Sequence, residues 1–414
     1  MMSKESDDII LMNLISKEEN RIEQTLDLIA AESHAPRSIM NILGSILNTK
    51  TIEGYPGNRF HAGCVNVDEI EEIARNRGKA LFGAEYVNVQ PHSGTSANIA
   101  VYFSVLDVGD RILSMSLPHG GHLSHGHKAS ITSKCFNFRH YEVDPETECI
   151  DYDSIRKLAL EFRPKMIVAG ASAYSRLIDY KRISDIAKEV SAYILADMAH
   201  LGGLVAAGVI PSPVPHCDFV TFTCYKTMMG GRGGVILAKG KYGKKVNSAV
   251  FPGTQGTSAV NLIAAKALIF KLAGEPFFKE IQKTTLENAA ALSAYLQKRE
   301  YRMVTGGTEN HQVIVDLSEK GITGGQAETV LESVGIVLNR NVIPRDAATP
   351  GTVSGIRIGT CGLAGRGIGP DYMDRIARWI DQVLTAPENQ ETLNAVSLEV
   401  ADLCKIYPVY GKPH

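Results

Sequence analysis

Apolar residues in this chain follow two different rhythms. Near the start they fall at Ile10, Leu14, Ile22, Leu26 and Ile29, a helical spacing that predicts a helix from about 8 to 34. From about 69 to 270, helical stretches alternate with short and almost wholly apolar runs at 86–89, 111–115, 166–169, 193–196 and 219–223. Strands covered on both faces need such runs. Their alternation with helices predicts an α/β domain with a mainly parallel central sheet between helices. A helix-rich stretch near 256–300 leads to a smaller α/β unit. That unit has strands near 311–317 and 356–358, and a helix near 371–384 with Met373, Ile376, Ile380, Val383 and Leu384 on one face. The expected division is an N-terminal helical arm (1–55), a large domain (56–275) and a small C-terminal domain (276–414).

Composition narrows the class. The 414 residues suffice for two domains with a sizeable core. With 44% hydrophobic residues, 21% charged residues and a net charge of -2, the chain reads as globular and offers no surface for polyanions. No nucleic-acid motif and no membrane-length apolar run is present, so neither partner is expected. The polar, acidic start is not a secretory signal. Seven scattered cysteines without CxxC spacing fit reduced thiols in the cytoplasm.

The candidate chemistry gathers where strands end. The run Thr221-Phe222-Thr223-Cys224-Tyr225-Lys226 is a buried strand closing on a lysine, followed by the glycine-rich Gly230-Gly231-Arg232-Gly233-Gly234. Desolvation favours a neutral amine that can attack a carbonyl, which suggests a Schiff-base lysine with pyridoxal phosphate (PLP) as its aldehyde. A lysine that snorkels to the surface is the plainer alternative. Ser93, Gly94 and Thr95 open a helix after a strand, in a geometry that suits a phosphate or simply caps a helix. Asp197 ends the run 193–196 and could pair with the pyridine nitrogen of PLP or cap the next helix. The loop 119–127 holds four histidines, one of which could stack on a flat ring. Without HExxH or a nearby carboxylate pattern, no metal is expected there. Arg357, inside a short strand, needs an anion: a substrate carboxylate or a structural partner.

Together these segments resemble serine hydroxymethyltransferase, a PLP-dependent transferase family of fold type I. The resemblance rests on Glu53-Gly54-Tyr55-Pro56-Gly57, Asn88-Val89-Gln90-Pro91-His92-Ser93-Gly94, His119-Gly120-Gly121-His122-Leu123, Ser172-Ala173-Tyr174-Ser175-Arg176, Ala196-Asp197-Met198-Ala199-His200 and Phe251-Pro252-Gly253. It implies that Lys226 carries the cofactor, Asp197 meets its ring nitrogen and His122 stacks on the ring. It also implies that Ser93, Gly94 and Thr95 hold the phosphate, with Ser172 and His200 near the phenolic oxygen. Arg357 then takes the substrate carboxylate, and Glu53 is the acid–base group, brought by the partner subunit of an obligate homodimer or a dimer of dimers. Leu117, Leu123 and Asn341 match positions beside tetrahydrofolate, the expected co-substrate.

The departures surround that core. Phe222, Cys224 and Tyr225 replace two Thr and the His of the usual lysine motif, and Tyr225 joins the catalytic candidates as the lysine's neighbour. Ala31 replaces a Ser that helps hold the carboxylate, a loss of about 1 kcal/mol. Thr51 replaces a phosphate-contacting Tyr on the substrate side. Phe60 and His61 replace adjacent Tyr residues. An imidazole can move protons near neutral pH where a phenol cannot, so His61 is a candidate acid or base, or it only fills the position. Gly256 and Thr257 sit in an altered interface turn beside the cofactor, and Thr349-Pro350-Gly351 replaces a folate-side motif. The expected reaction makes or breaks the Cα–Cβ bond of a β-hydroxy-α-amino acid. Folate-dependent hydroxymethyl transfer and a folate-independent aldolase or transaldolase both remain open.

Overall fold

The strand runs assemble into one seven-stranded sheet because their alternate residues are apolar on both sides. In the computed structural model, which describes residues 8–348 and 353–410, these strands are β1 (Tyr86–Asn88), β2 (Arg111–Met115), β3 (Asn137–Tyr141), β4 (Met166–Gly170), β5 (Tyr193–Asp197), β6 (Phe219–Thr223) and β7 (Gly234–Ala238). Their order is β1-β7-β6-β5-β4-β2-β3. Pairing is parallel from β3 through β6, and only β7 runs antiparallel to both its neighbours. Period two sends Ile167, Ala169, Ala196 and Val220 into one apolar layer, and Met166, Val168, Leu195 and Phe219 into the other. Helices cover both layers, as a parallel sheet requires.

The smaller unit has its own core around Trp379, Ile356, Ile358, Val313 and Leu331. It is built on an antiparallel sheet of β8 (Arg302–Met303), β9 (Gln312–Asp316), β10 (Asn339–Asn341) and β11 (Gly355–Gly359), in the order β8-β9-β11-β10. The helix Met373–Thr385 buries Met373, Ile376, Ile380, Val383 and Leu384 against this core.

The N-terminal helix is shorter than its pattern predicts. It ends at Gln24, and Leu26–Asp27 pairs in parallel with Ile336–Val337. Leu26 and Leu28 are fully buried in the small unit's core, and the Asp27 carboxylate accepts the backbone N–H of Ile29 at 2.9 Å. An extended strand sends residues 26 and 28 to the same side, and a helix would not. Long-range pairing therefore overrides local periodicity here.

Candidate active site

The C-terminal ends of β4, β5 and β6 converge, and the chemistry collects there. Asp197 is the last residue of β5 and Lys226 follows β6 by three residues, both buried. The Lys226 side chain makes no hydrogen bond or ion pair with any described residue. Burial pushes its amine down to about 8; nearby Asp197 opposes the shift and Arg357 adds to it. Its backbone is fixed from outside the sheet, because the Ser33 hydroxyl reaches the carbonyls of Lys226 (2.6 Å) and Tyr225 (2.9 Å).

Asp197 is held ionised by its neighbours. Burial works to raise its carboxyl, but His125, His122 and Asn98 outweigh that and keep it well below the ordinary carboxylate range. Asp197 Oδ2 accepts His125 Nε2–H at 3.0 Å and Asn98 Nδ2–H at 2.8 Å, and Oδ1 accepts the N–H of Ala199 at 3.0 Å. Asn98 comes from the helix Gly94–Val105 and also accepts the Thr221 hydroxyl at 2.6 Å. The histidine loop 119–127 is pinned by the Gly120 carbonyl, which accepts Ser172 N–H at 2.7 Å. This places His122 near Asp197. Burial holds His122 down to about 4, so the ring is neutral, and its Nδ1 accepts Ser124 N–H at 3.1 Å.

Helix Gly94–Val105 starts against the end of β6. A Cβ on Gly94 would lie 2.7 Å from Thr223 Cγ2, so a larger residue would push the helix off the strand. Ser93 and Ser96 cap the helix reciprocally, and Thr95 is exposed in its first turn. The positive end of twelve aligned peptide dipoles thus opens beside Lys226's strand.

Arg357 enters from the small unit. Burial lowers its guanidinium to about 10, still charged at neutral pH. Nη1–H donates to the Ser172 carbonyl at 2.6 Å and Nε–H to Asn339 Oδ1 at 3.2 Å. Among the described residues no carboxylate pairs with it. His200 and His311 stack nearby, ring centroids 5.7 Å apart, and neither buried Nδ1 has a partner among the described residues. Burial keeps both well below the ordinary imidazole value, His311 at about 3, and the positive charges of Lys226 and Arg357 add to this. His311 Nε2–H donates to the Ala30 carbonyl at 3.1 Å, which fixes the segment carrying Ala31.

The remaining expected residues lie elsewhere. Thr51, His61, Gly256 and Thr257 are exposed and Glu53 is half-buried. Thr257 Oγ1 bonds the backbone of Ile52, and its carbonyl meets His92 Nε2 at 3.2 Å. Glu53 and Gly256 line an open cleft with Tyr55, Phe60 and Phe251. No hydrogen bond joins this group to Lys226. Tyr225 stacks under Arg232, 4.6 Å from its ring centre, in a cavity shared with His34 and Met40. Asn341 faces a small cavity beside Tyr174 and Val304. Thr349-Pro350-Gly351 lies outside the described residues.

Sequence reasoning missed His125, Asn98, His311 and Ser33. His125 was within reach, since it shares the histidine loop with His122. It also alters the metal question, because a carboxylate does stand near the loop. The ligand atoms of His122, His125 and Asp197 lie within 4.8 Å of one another. Several polar atoms of the three are already engaged: Asp197 Oδ2 by His125 and Asn98, and His122 Nδ1 by Ser124.

Residues 4–380 match the serine hydroxymethyltransferase family model. The chain belongs to that family. Serine hydroxymethyltransferases are PLP-dependent transferases, and the residues gathered here fit the cofactor. An amine without a hydrogen-bond partner among the described residues, an ionised carboxylate in a buried place, a neutral imidazole and a helix N-terminus are respectively what its aldehyde, its ring nitrogen, its ring face and its phosphate need. No helix among the described residues is long and apolar enough to cross a membrane.

Proposed function

We propose that this serine hydroxymethyltransferase-family protein acts on the Cα–Cβ bond of serine, α-methylserine or a threonine-like amino acid. It interconverts that amino acid with glycine or alanine and a one-carbon unit or aldehyde. The observation that carries this reading is Arg357: a desolvated guanidinium with no carboxylate partner among the described residues, beside a buried lysine of lowered pKa. Two of its N–H groups are held by Ser172 and Asn339, which leaves the rest of the fork for an α-carboxylate.

When bound, PLP supplies an electron sink for the substrate carbon. The chain's own residues supply everything else. Lys226 offers a neutral amine at moderate pH and can take or return a proton at Nζ. Asp197 would hold a proton on the pyridine nitrogen, because its carboxylate stays ionised. His122 would cover the ring as a neutral imidazole, Ser93, Gly94 and Thr95 would receive the phosphate at the helix start, and Ser172 and His200 would serve the phenolic oxygen. Glu53, with His61 as the second candidate, moves the proton of the substrate β-hydroxyl.

Thr51, His61, Gly256 and Thr257 are exposed, Glu53 and Gly256 line one open cleft, and none of the five bonds Lys226, which supports a homodimer in which one copy completes the other's site. Leu117 and Leu123, 40% and 53% exposed, support a flat apolar co-substrate such as tetrahydrofolate. The seven unpaired cysteines support a cytoplasmic setting.

A second reading, a folate-independent aldolase or transaldolase, is favoured by His61 and by Thr349-Pro350-Gly351 in place of a folate-side motif. Under either reading Ala31 leaves space that suits an α-substituted amino acid. Ser33, two residues on, does not restore the missing hydroxyl, because its own is engaged by the carbonyls of Tyr225 and Lys226. Formaldehyde release from serine, α-methylserine and threonine, measured with and without tetrahydrofolate, separates the readings. Turnover of serine that ignores folate removes the hydroxymethyltransferase reading.

A further inference from the structure

Away from the reacting groups, one buried side chain ties the two units together. Glu148 lies in the turn between β3 and the helix Tyr152–Phe162 of the large unit; it is 2% exposed and its φ is 56°. A non-glycine residue in the left-handed region is strained, and it persists only where its surroundings hold it there. The turn itself closes within the large unit, Glu148 N–H donating to the Asp144 carbonyl at 2.8 Å, but the carboxylate is held by the small unit. Arg302 grips both carboxylate oxygens, Nη1 to Oε2 at 2.9 Å and Nη2 to Oε1 at 2.8 Å. Oε2 also accepts the N–H of Thr305 at 3.0 Å. Arg302 Nε in turn donates to Asp316 Oδ2 at 2.7 Å.

The small sheet carries this grip to Arg357. Arg302 is paired with Asp316 across β8 and β9, and Ile314 is paired with Arg357 across β9 and β11. Residues 314 and 316 are two apart on one strand, so both pairs point to the same face, about 7 Å from one another. That face meets the large unit: Ile314 packs with Val304, Ile343 and Ala173, and Arg357 reaches the carbonyl of neighbouring Ser172.

We propose that Glu148 is a positioning residue that sets the small sheet in register with the large one, and so aims the Arg357 guanidinium at the amino-acid carboxylate. The proposal rests on Arg357 being the carboxylate clamp. Glu148 itself touches no substrate. The test uses the full-length holoenzyme with Glu148→Gln and Glu148→Gly, titrated calorimetrically with glycine and with alanine. Affinity for the amino acid should fall about tenfold in both variants, while half-saturation by PLP stays within about twofold. Glycine adopts φ near 56° without steric cost, so Glu148→Gly removes the carboxylate without adding backbone strain and should lose affinity as Glu148→Gln does. Unchanged affinity with a lowered melting temperature in both variants overturns the proposal, leaving a merely structural ion pair. Arg357→Lys, run in parallel, separates the two ideas. Lost affinity there with none lost in the Glu148 variants rejects the positioning role alone. Unchanged affinity in Arg357→Lys rejects the clamp on which it rests.

Discussion

His125 donates its Nε2–H to Asp197 Oδ2 across 3.0 Å, with both side chains buried. This bond, backed by Asn98, is what lets a carboxylate remain charged in a place where burial alone would protonate it. His125→Phe should therefore weaken the hold on the pyridine nitrogen. Hydrogen bonds to a charged group contribute about 1.5–3 kcal/mol, so PLP affinity should drop roughly tenfold to a hundredfold. Fluorescence titration of the apo protein with PLP measures it, and an unchanged affinity would remove His125 from the site.

The lowered pKa of Lys226 makes a signed prediction for the apo protein. Between about 8 and the ordinary lysine value the unfolded chain holds a proton that the folded chain has lost. Burying this amine thus costs stability below pH 8, roughly 3 kcal/mol, and the cost fades as pH rises toward that ordinary value. Lys226→Met removes the cost. Urea melts of the two apo proteins should show the variant more stable at pH 7.5, with the gap closing on the alkaline side. A gap independent of pH would mean that the amine is not titrating as described.

Among the described residues, two lysines are buried and pushed down to about 8, Lys226 and Lys266. They differ in their bonding. Lys266 Nζ donates to the carbonyls of Val89 (2.6 Å) and Pro91 (3.1 Å), which hold it away from any aldehyde. Borohydride reduction of the holoenzyme followed by peptide mass spectrometry should find the pyridoxyl label on Lys226 and none on Lys266. Lys226→Ala should lose the label, the yellow absorbance and turnover together.

Ala31→Ser tests the space beside the carboxylate. A restored hydroxyl donor contributes about 1 kcal/mol, which should lower KM for serine roughly fivefold. The same change should reduce turnover of α-methylserine. Equal effects on both substrates would show that residue 31 does not face the α-carbon.

If Glu53 serves the neighbouring copy, two defective proteins should repair one another. Glu53→Gln and Lys226→Ala spoil different halves of the shared site. Random mixing of the two, with subunit exchange, should restore about a quarter of parental activity, since half of the dimers carry one intact site. No recovery in verified hybrid dimers would place Glu53 within its own subunit's site.

Much of the large sheet was readable because β4, β5 and β6 are covered on both faces and so are almost purely apolar. Strand β3 escaped notice because it is an edge strand, Asn-Phe-Arg-His-Tyr, with only Tyr141 buried. Strand β7 was masked by the glycine run that precedes it. Lys226, Asp197 and Arg357 were legible because polar residues closing or interrupting apolar strands stand out. Asn98 and His311 were not, because what makes them matter lies far along the chain. Asn98 meets Asp197 across 99 positions, and His311 meets Ala30 across 281. Neither contact leaves a local pattern, and the early end of the first helix was hidden for the same reason.

The segment from Leu26 to Ser33 threads between the two units. It lends Leu26 and Leu28 to one core, its Ala30 carbonyl to His311 and its Ser33 hydroxyl to the lysine turn. A shortened chain beginning after residue 35 would look like the loss of a dispensable leader. It would instead unhook the backbone of Lys226 and open the floor of the smaller unit in one cut, so the trimming of expression plasmids should stop well before residue 26.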